Sequence, residues 1–445
     1  MAHRALVIAM LPAVGLRMLA VLGFPPSILF YGDSFAFLRE DLTPGTTRPS
    51  GYSLLLALLR PAHSLTLVTV LQHLLMLGLA VAVYALLRRR GLPGWGAALL
   101  VTPLLYDEFL ILLEHMIMAD AVFIVLVTVA MLLIVRRVTP ATAAVGGVLL
   151  GLAGITRTVG LPLLILTAAY LLIRRYGWRP LVALLVAGAI PLGAYATWMK
   201  VEKGKFALTE ADGNFLWSRT MSFADCSVIK PPERLAVLCP DMPVAQRPYP
   251  PHWLWESFSP LLKVPGTSNR NQLAGEFARQ AILAQPGEYL GAVATDLTQL
   301  LRWERTAVDE KTPYKLPTAE RPLSGSVRGV AESYEAGPAA TRVVEPFAGW
   351  LRAYQRFGYV PFPLLMLALV GALAGALLRR RWDALLPGVA ALALVVSPPF
   401  LAAYDVRYVI PAIPLICLTV GLTLGARSSS PREQAETARE PLNVG

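Results

Sequence analysis

Long apolar runs separated by short polar segments dominate the chain. Ten runs qualify as candidate membrane spans, at residues 4–24, 64–87, 95–113, 117–135, 141–156, 159–173, 181–199, 358–378, 383–403 and 406–425. A helix needs about 20 mostly apolar residues to cross a bilayer. The pattern therefore predicts an all-α polytopic membrane protein with about ten transmembrane helices.

Composition excludes a soluble globular protein. Of the 445 residues, 55% are hydrophobic and 16% are charged, and the mean hydropathy is +0.55. A soluble domain carries roughly a quarter charged residues. The predicted spans account for the apolar excess, and the polar remainder is long enough to hold a functional site.

Positive charge is concentrated after alternate spans, and the formal net charge is +11. The arginine clusters are Arg88–Arg90, Arg136–Arg137, Arg174–Arg175 with Arg179, Arg379–Arg381 and Arg427. Lys and Arg accumulate in the cytoplasmic loops of membrane proteins. We therefore expect a multi-pass cell-membrane protein with both termini in the cytoplasm. The basic excess reflects this topology and predicts no nucleic-acid partner.

The same topology divides the chain into four parts. Residues 1–199 form an N-terminal transmembrane core, which includes a first external loop at 25–63. An external segment follows at 200–355, then C-terminal spans at 356–425 and a cytoplasmic tail at 426–445. The first span has no clear small-residue cleavage site and further spans follow it, so we interpret it as a retained anchor.

The external segment predicts two amphipathic helices. Apolar residues recur at helical steps on either side of Pro286: Leu273, Phe277, Ala281 and Ala284, then Tyr289, Val293, Leu297 and Leu300. Such helices either lie on the membrane surface or pack on their own segment, and the sequence leaves both open. Residues 306–345 are rich in Pro, Gly and charge, which is typical of a flexible lid or linker.

Two of the three cysteines also lie in the external segment. Cys226 and Cys239 are candidates for a disulfide because the outer side of a membrane is oxidising. Cys417 lies inside the last apolar run. The five histidines are scattered, so the sequence indicates no metal site and requires no cofactor. Dependence on a divalent ion stays open.

The first external loop carries the clearest candidate chemistry. Asp33 follows Gly32 shortly after the first span, and Arg48 opens the sequence Arg48–Tyr52. A carboxylate at a membrane boundary can accept a proton from an incoming hydroxyl group. An arginine can hold a phosphate through paired N–H donors. From spacing alone, the simpler interpretation is a solvated loop with a turn at Pro49–Gly51.

Four acids lie beside the predicted outer ends of the third and fourth spans: Asp107, Glu108, Glu114 and Asp120. The turn Tyr404–Arg407 adds an acid and a cation directly before the last span. Ionisable groups at membrane depth usually face a cavity or a partner. These acids therefore have either a functional role or a structural pairing with Arg157 or Arg407.

Five short motifs follow one another along the chain: Gly32–Ser34, Arg48–Leu56, Leu113–His115, Gly147–Arg157 and Asp405–Pro411. Their order and sidedness over residues 1–425 resemble the GT-C superfamily of integral-membrane glycosyltransferases. The resemblance is to the branch of the protein O-mannosyltransferases and lipid A aminoarabinose transferases. It implies a GT-C-like core with external loop helices and a small external segment.

The resemblance also implies an activity in cell-envelope and cell-wall biogenesis. A sugar would pass from a polyprenyl-phosphate donor to a cell-envelope acceptor, which could be a glycan, a lipid or a secreted protein. The reaction would take place on the extracytoplasmic face of the lipid bilayer. Whether the transfer retains or inverts the anomeric configuration stays open.

By the same resemblance, Asp33 is the general base, and Glu114 or the pair Asp107–Glu108 assists it. Arg48 and Arg407 are candidates for the donor phosphate, because fixed cations stabilise a leaving group that gains charge. The remaining candidates for substrate binding are Tyr52, Arg157, Tyr404, Asp405 and Trp217. The indole of Trp217 is either a platform for a sugar or an anchor at the membrane interface.

Two other classes of protein fit part of the pattern. A transporter or flippase for lipid-linked sugars also places acids and arginines inside a bundle. It predicts two pseudo-symmetric halves, whereas this chain has one long external segment after the seventh predicted span. A non-catalytic envelope scaffold would leave the same acids solvated or structurally paired.

Overall fold

A computed structural model describes residues 3–30, 32–305 and 314–426. This part of the chain is helical, and its β-structure is limited to one isolated bridge between Ile28 and Met116. The all-α prediction is therefore confirmed. Residues 306–313 of the predicted lid, and Arg427 with the rest of the predicted tail, lie outside the described residues.

Most of the N-terminal half forms a helical bundle. Its helices are α1 Arg4–Gly23, α2 Asp33–Leu38, α3 Gly51–Leu59, α4 Leu65–Arg89, α5 Gly94–Leu100, α6 Thr102–Tyr106, α7 Glu108–His115, α8 Asp120–Arg136, α9 Pro140–Thr156, α10 Gly160–Ile173 and α11 Trp178–Lys203.

The external segment and the C-terminal spans contain the remaining helices. These are α12 Asp212–Thr220, α13 Cys226–Ile229, α14 Glu233–Ala236, α15 His252–Trp255, α16 Thr267–Ala284, α17 Pro286–Thr298, α18 Gly325–Glu332, α19 Phe347–Gln355, α20 Phe362–Leu378, α21 Trp382–Leu401, α22 Val406–Val409 and α23 Ile413–Leu424.

Five helical stretches among the described residues are long and apolar enough to cross a membrane, namely α1, α4, α11, α21 and the continuous stretch Val406–Leu424. The helices α9, α10 and α20 are apolar but shorter. These helices fit a polytopic membrane protein, although fewer of them reach full spanning length than the ten that hydrophobicity predicts.

The predicted span 95–113 shows why fewer helices reach spanning length than hydrophobicity predicts. It is divided into α5, α6 and the start of α7. Pro103 lacks the amide that would continue a helix from α5. The Asp107 side chain accepts hydrogen bonds from the Phe109 and Leu110 amides and thereby begins α7. A hydropathy average over about 20 residues does not reveal these breaks, because the apolar residues on both sides outweigh Thr102, Pro103, Asp107 and Glu108.

The last span occupies the centre of the bundle. In the stretch Val406–Leu424, 83% of the apolar window is buried, compared with 22% for α1. The stretch contacts α4, α8, α20 and α21. Its first residues, including Arg407, therefore lie near the middle of one end of the bundle and not at its periphery.

The external segment has a hydrophobic core of its own. Trp217, Trp253 and Phe277 are buried in it, and α12 packs along α16. Cys226 and Cys239 form a disulfide at its edge, with Cα atoms 6.1 Å apart. We call residues 212–298 the external unit.

Both predicted amphipathic helices are present as α16 and α17, and both pack on protein. Phe277 and Ala281 of α16 are buried in the core of the external unit. On α17, the Tyr289 hydroxyl donates to the Phe400 carbonyl oxygen at 2.9 Å, and Val293 is buried. Of the two interpretations that the sequence leaves open, the structure therefore favours packing within the protein for these faces.

The described part of the predicted lid packs on the first external loop. Tyr334 is fully buried, and its hydroxyl donates to the Leu56 carbonyl oxygen at 2.9 Å. The Arg342 amide donates to the Pro25 carbonyl oxygen at 2.8 Å. Residues 314–345 thus differ from a solvated linker, because apolar burial and backbone hydrogen bonds order them.

Removing the Cys226–Cys239 disulfide will destabilise the external unit. The two cysteines are 13 residues apart, and closing a loop of about 15 residues contributes about 3 kcal/mol through the entropy of the unfolded chain. We expect the Cys226→Ser/Cys239→Ser variant to lose roughly 2–4 kcal/mol of free energy of unfolding in this unit.

Amide hydrogen exchange in α12 and α16 measures this loss. The matched control is Cys417→Ala, which removes the free buried thiol outside the unit. Equal protection of both helices in the double variant and in the control would contradict the prediction.

Candidate active site

Asp33 begins the short helix α2 at the end of a tight turn. Gly32 has φ +86°, a left-handed backbone conformation that favours glycine. Ser34 fixes the turn, since its Oγ donates to the Ile117 carbonyl oxygen at 2.9 Å and accepts from the Phe30 amide at 2.7 Å. The Asp33 carboxylate therefore extends from an anchored backbone.

Two arginines hold this carboxylate from opposite ends of the sequence. Arg48 Nη2 lies 2.5 Å from one oxygen of Asp33. Arg407 Nη1 donates to the other oxygen at 2.7 Å. The side chains of Arg48, Asp33 and Arg407 are 28%, 15% and 12% exposed. The site is thus largely buried, and Arg48 is its most exposed member.

A close backbone approach places the first external loop beside α9. A Cβ atom on Gly51 would lie 2.5 Å from the Ile155 carbonyl oxygen, so only glycine lets α3 begin at this place. The Ser50 amide donates to the Tyr195 hydroxyl of α11 at 3.1 Å. These contacts bring the loop that carries Arg48 next to Arg157, the residue that follows α9.

The turn before the last span positions Arg407. Asp405 accepts the Arg407 amide at 2.8 Å and the Tyr314 hydroxyl at 2.7 Å. The Tyr314 ring stacks on Phe30 with centroids 6.0 Å apart. The Arg407 guanidinium lies 5.3 Å from the centroid of the Phe30 ring. Residues of the first external loop, the external segment and the last span therefore meet at Arg407.

A third arginine completes the site. Arg157 forms an ion pair with Asp120 at the start of α8, which is one of the structural pairings that the sequence left open. The Arg157 and Arg407 guanidinium groups lie 5.3 and 5.4 Å from the centroid of the Tyr408 ring. Attraction to this ring stabilises two cations that would otherwise repel each other. We call the following residues the outer charge cluster: Asp33, Arg48, Asp120, Arg157 and Arg407.

The arginines determine the ionisation of Asp33. Burial alone would raise the pKa of its carboxyl group, but Arg407 and Arg48 outweigh burial and hold this pKa below its ordinary value. Asp33 is therefore a carboxylate at neutral pH. The lowered pKa also makes the carboxylate a weak base while both ion pairs are intact.

The outer charge cluster suits an anionic ligand. Its three guanidinium groups face two carboxylates, which leaves one positive charge. Asp405 lies beside the cluster, where it accepts from the Tyr314 hydroxyl and from a backbone amide. Within the described part of the chain, Arg407 Nε donates to no acceptor. This N–H is buried, whereas the partly exposed Arg48 is a donor that a phosphate group could reach.

Tyr404 supports the site through its backbone. Its amide donates to Asp296 of α17 at 2.9 Å, and its carbonyl oxygen accepts from the Tyr249 hydroxyl. Asp296 also pairs with the buried Arg219 of α12 at 2.9 Å. The external unit is thereby connected directly to the turn that carries Arg407.

Two residues predicted to bind substrate are core residues instead. Tyr52 is fully buried, and its hydroxyl donates to Gln72 at 2.8 Å. Trp217 is also fully buried, and its Nε1 donates to the Leu238 carbonyl oxygen at 3.3 Å. The structure corrects both expectations, because neither ring presents a free face to a sugar or to the membrane.

Glu114 lies inside the bundle, not in an exposed turn. It is fully buried within α7 and accepts two hydrogen bonds from Arg17, at 2.8 and 2.9 Å. His73 Nδ1 lies 2.8 Å from the same carboxylate. The partners of Glu114 are therefore Arg17 and His73, and none of the three belongs to the outer charge cluster.

The acids at the start of α7 have partners of their own. Asp107 pairs with Arg305 at 2.8 Å, and both side chains are buried. Glu108 accepts from the Gln355 amide at 2.9 Å. Neither acid contacts Asp33 in this arrangement. The structure thus brings Asp33 together with the predicted Arg48, Arg157 and Arg407, but not with the predicted assisting acids.

The sequence interpretation missed Arg17, Arg305 and Tyr314. Arg17 interrupts the first apolar run, and an ionisable residue at membrane depth is the signal that would have identified it. Tyr314 carries no such local signal, because its partner Asp405 is 91 residues away. Among residues 3–30, 32–305 and 314–426, no group of three His, Cys, Asp or Glu side chains is placed to hold a metal ion.

The chain is thus a polytopic membrane protein with a charged, partly open site at one end of its bundle. No family profile and no curated protein matches it. ArnT from Cupriavidus metallidurans bound to undecaprenyl phosphate is 14% identical over 94% of this chain and 77% of that chain, with a TM-score of 0.37. The apo state of ArnT is 13% identical over the same shares, with a TM-score of 0.36. Superpositions this loose assign no activity, so the functional conclusion depends on the site itself.

Replacing Arg407 will move the ionisation of Asp33 to higher pH. The pKa of an ordinary Asp is about 3.9, and Arg407 is the strongest of the attractions that lower it here. Arg407→Gln removes this attraction and leaves the effect of burial, so the pKa rises. The carboxylate of the variant will therefore take up its proton at a higher pH than that of the wild type.

Infrared difference spectroscopy follows the protonated carboxyl band of Asp33, which is assigned by its loss in Asp33→Asn. Arg89→Gln is the matched control, because Arg89 is exposed at the opposite end of α4. The prediction fails if Arg407→Gln and Arg89→Gln titrate at the same pH.

Proposed function

We propose that this protein is a membrane glycosyltransferase that moves a sugar from a polyprenyl-phosphate donor to a cell-envelope acceptor. The observation that carries the proposal is the position of Asp33 between Arg48 and Arg407. It combines a carboxylate that can accept a proton with two cations that can hold a phosphate. Both functions lie within one partly open site at the end of the bundle.

In the proposed reaction, an acceptor hydroxyl attacks the anomeric carbon of the donor sugar. A bond forms between the acceptor oxygen and this carbon, while the bond from the carbon to the donor phosphate breaks. The hydroxyl proton passes to Asp33. The electron pair of the broken bond leaves with the polyprenyl phosphate, and Arg48 and Arg407 stabilise the charge that develops there.

The lowered pKa of Asp33 gives the donor a second role. A weakly basic carboxylate is poorly suited to deprotonate a hydroxyl. A bound phosphate would compete with Asp33 for the guanidinium groups of Arg48 and Arg407. As their hydrogen bonds pass to the phosphate, the pKa of Asp33 rises, because the effect of burial remains. The base would thus become active only when the donor is present.

The membrane setting supports a lipid-linked donor. The outer charge cluster contains Arg407, the second residue of the central apolar stretch Val406–Leu424. A polyprenyl chain can lie in the bilayer while its phosphate reaches arginines at the membrane boundary. We place the site on the extracytoplasmic face, opposite the arginine clusters that the positive-inside rule assigns to the cytoplasm. The proposed acceptor is a glycan, a lipid or a secreted protein of the envelope.

Donor turnover tests this proposal. Purified protein in liposomes is incubated with a panel of polyprenyl-phosphate sugars and a cell-envelope extract as acceptor, and released polyprenyl phosphate is measured. We expect Asp33→Asn to lower the turnover by about 10²- to 10⁴-fold, which is the usual contribution of a general base.

The matched control is Asp41→Asn, since Asp41 lies in the same loop but is exposed and pairs with Arg39. Equal turnover in Asp33→Asn and Asp41→Asn would exclude Asp33 as the base. Movement of intact lipid-linked sugars across the bilayer, without any release of polyprenyl phosphate, would indicate a transporter instead.

A further inference from the structure

A continuous chain of polar contacts crosses the bundle beside the first external loop. Arg17 of α1 donates to both carboxylate oxygens of Glu114. His73 Nδ1 lies 2.8 Å from Glu114 Oε2, and His73 Nε2 lies 3.2 Å from His115 Nδ1. His115 Nε2 lies 3.0 Å from the Phe24 carbonyl oxygen. All four polar side chains are at least nine-tenths buried.

This series of polar contacts ends at the backbone that leads to Asp33. Phe24 directly follows α1, and four residues later the Ile28 amide donates to the His115 carbonyl oxygen at 3.0 Å. The Gln72 side chain donates to the carbonyl oxygens of Glu114 and Met116 at 2.8 and 2.9 Å. The end of α7 therefore serves as the surface on which the first external loop is anchored.

The hydrogen bonds of the two histidines require three protons, which is one more proton than two neutral histidines supply. The Phe24 carbonyl oxygen only accepts, so His115 carries a proton on Nε2. In a neutral His115, Nδ1 then accepts, and His73 must donate from Nε2. The remaining contact, between His73 Nδ1 and Glu114 Oε2, still requires a proton. Three contacts thus need three protons, and two neutral imidazole rings carry two.

The third proton belongs to His73. It could sit on the Glu114 carboxyl group, on His73 or on His115, which would then donate from Nδ1 to His73 Nε2. A cation is better stabilised on His73, which contacts the Glu114 carboxylate, than on His115, whose partners are an imidazole and a carbonyl oxygen. Arg17 donates to both oxygens of Glu114, and these charge-assisted hydrogen bonds favour the carboxylate. His73 is then an imidazolium between a carboxylate and a neutral His115. Arg17, Glu114, His73 and His115 together then carry one net positive charge.

A small cavity separates these polar side chains from α19. Glu108 and His115 line one cavity of about 10 Å³, together with Tyr354 and Gln355 of α19. A space of this size holds about one water molecule. Glu108 and His115 thus face the same small cavity from opposite ends of α7.

We propose that Glu114 is a positioning residue whose shared proton anchors the loop that carries Asp33. Glu114 orders His73, His73 orders His115, and His115 holds the Phe24 carbonyl oxygen at the start of the loop. Its connection to turnover rests on the proposed function, in which Asp33 is the base. The role differs from that of an assisting catalytic acid, which would have to reach the substrate.

The variant Glu114→Gln separates the two roles. The amide group of glutamine can donate to His73 Nδ1, and its oxygen can still accept from Arg17 Nη2. The three contacts of the histidines are then satisfied with two neutral imidazole rings, and only the contact from Arg17 Nε is lost. The net charge of the chain also stays at one, because the carboxylate and the imidazolium are lost together. A positioning role therefore predicts turnover within a few-fold of the wild type. A catalytic acid would lose about 10²- to 10⁴-fold.

Nitrogen-15 NMR of histidine-labelled protein in liposomes tests the proton count without any activity measurement. At neutral pH we expect His73 to be protonated on both nitrogens and His115 on Nε2 alone. In Glu114→Gln, His73 should become neutral while the His115 signal stays unchanged. Single His73→Gln and His115→Gln variants assign the signals.

Two further variants complete the test. Glu114→Leu removes the hydrogen-bond partner and should lower kcat while the KM for the donor changes little. Asp383→Asn is the matched control, since Asp383 pairs with the buried Arg90 at the other end of α4. It removes a buried carboxylate without touching the loop and should leave kcat and KM unchanged.

The NMR and Glu114 variant results can be separated from the results that test the proposed function. Two neutral histidines in the wild type would overturn the proton count, whatever the protein catalyses. Loss of turnover in Glu114→Gln with an intact His115 signal would overturn the positioning role and identify Glu114 as catalytic. Absence of turnover with every donor would refute the proposed function, whereas the NMR result would still decide the proton count.

Discussion

The ion triad of Asp33, Arg48 and Arg407 is the interaction on which the site depends. It joins the first external loop to the start of the last span, and its two ends are 374 residues apart in sequence. Without the arginines, burial would neutralise the carboxyl group. Without Asp33, the positive charges of Arg48 and Arg407 would repel each other with no carboxylate between them. Each of the three side chains therefore stabilises the ionised form of the other two in a largely buried site.

The same constraint recurs through the bundle. A charged side chain in an apolar interior is costly unless it is paired and hydrogen-bonded. Among the described residues, Arg17 pairs with Glu114, Arg90 with Asp383 and Arg305 with Asp107. Each pair joins segments that are distant in sequence, and its members lie within helices, at their ends or, for Arg305, in a loop. We attribute their relative positions in part to these pairs, because a shift of one helical turn would leave a buried charge alone.

The external unit is coupled to the site instead of being an independent appendage. Arg219 and Asp296 hold the Tyr404 backbone, and the Tyr249 hydroxyl binds the same residue. Tyr314 reaches Asp405 from the segment beyond the unit. A substrate that contacts the external segment could thus influence the turn that positions Arg407 through direct hydrogen bonds.

Local sequence properties determined the helical class and the amphipathic helices α16 and α17, because hydrophobic period is read within one short segment. They also made Asp33 and Arg48 candidates, since both are charged residues in the loop beside the first apolar run. Tertiary structure alone decided that Glu114 and Trp217 are buried and that Asp33 meets Arg407. It also divided the apolar run 95–113 into separate helices. The physical reason is that the pairing of buried charges depends on which helices become neighbours, and uniformly apolar helices carry little local information about that choice.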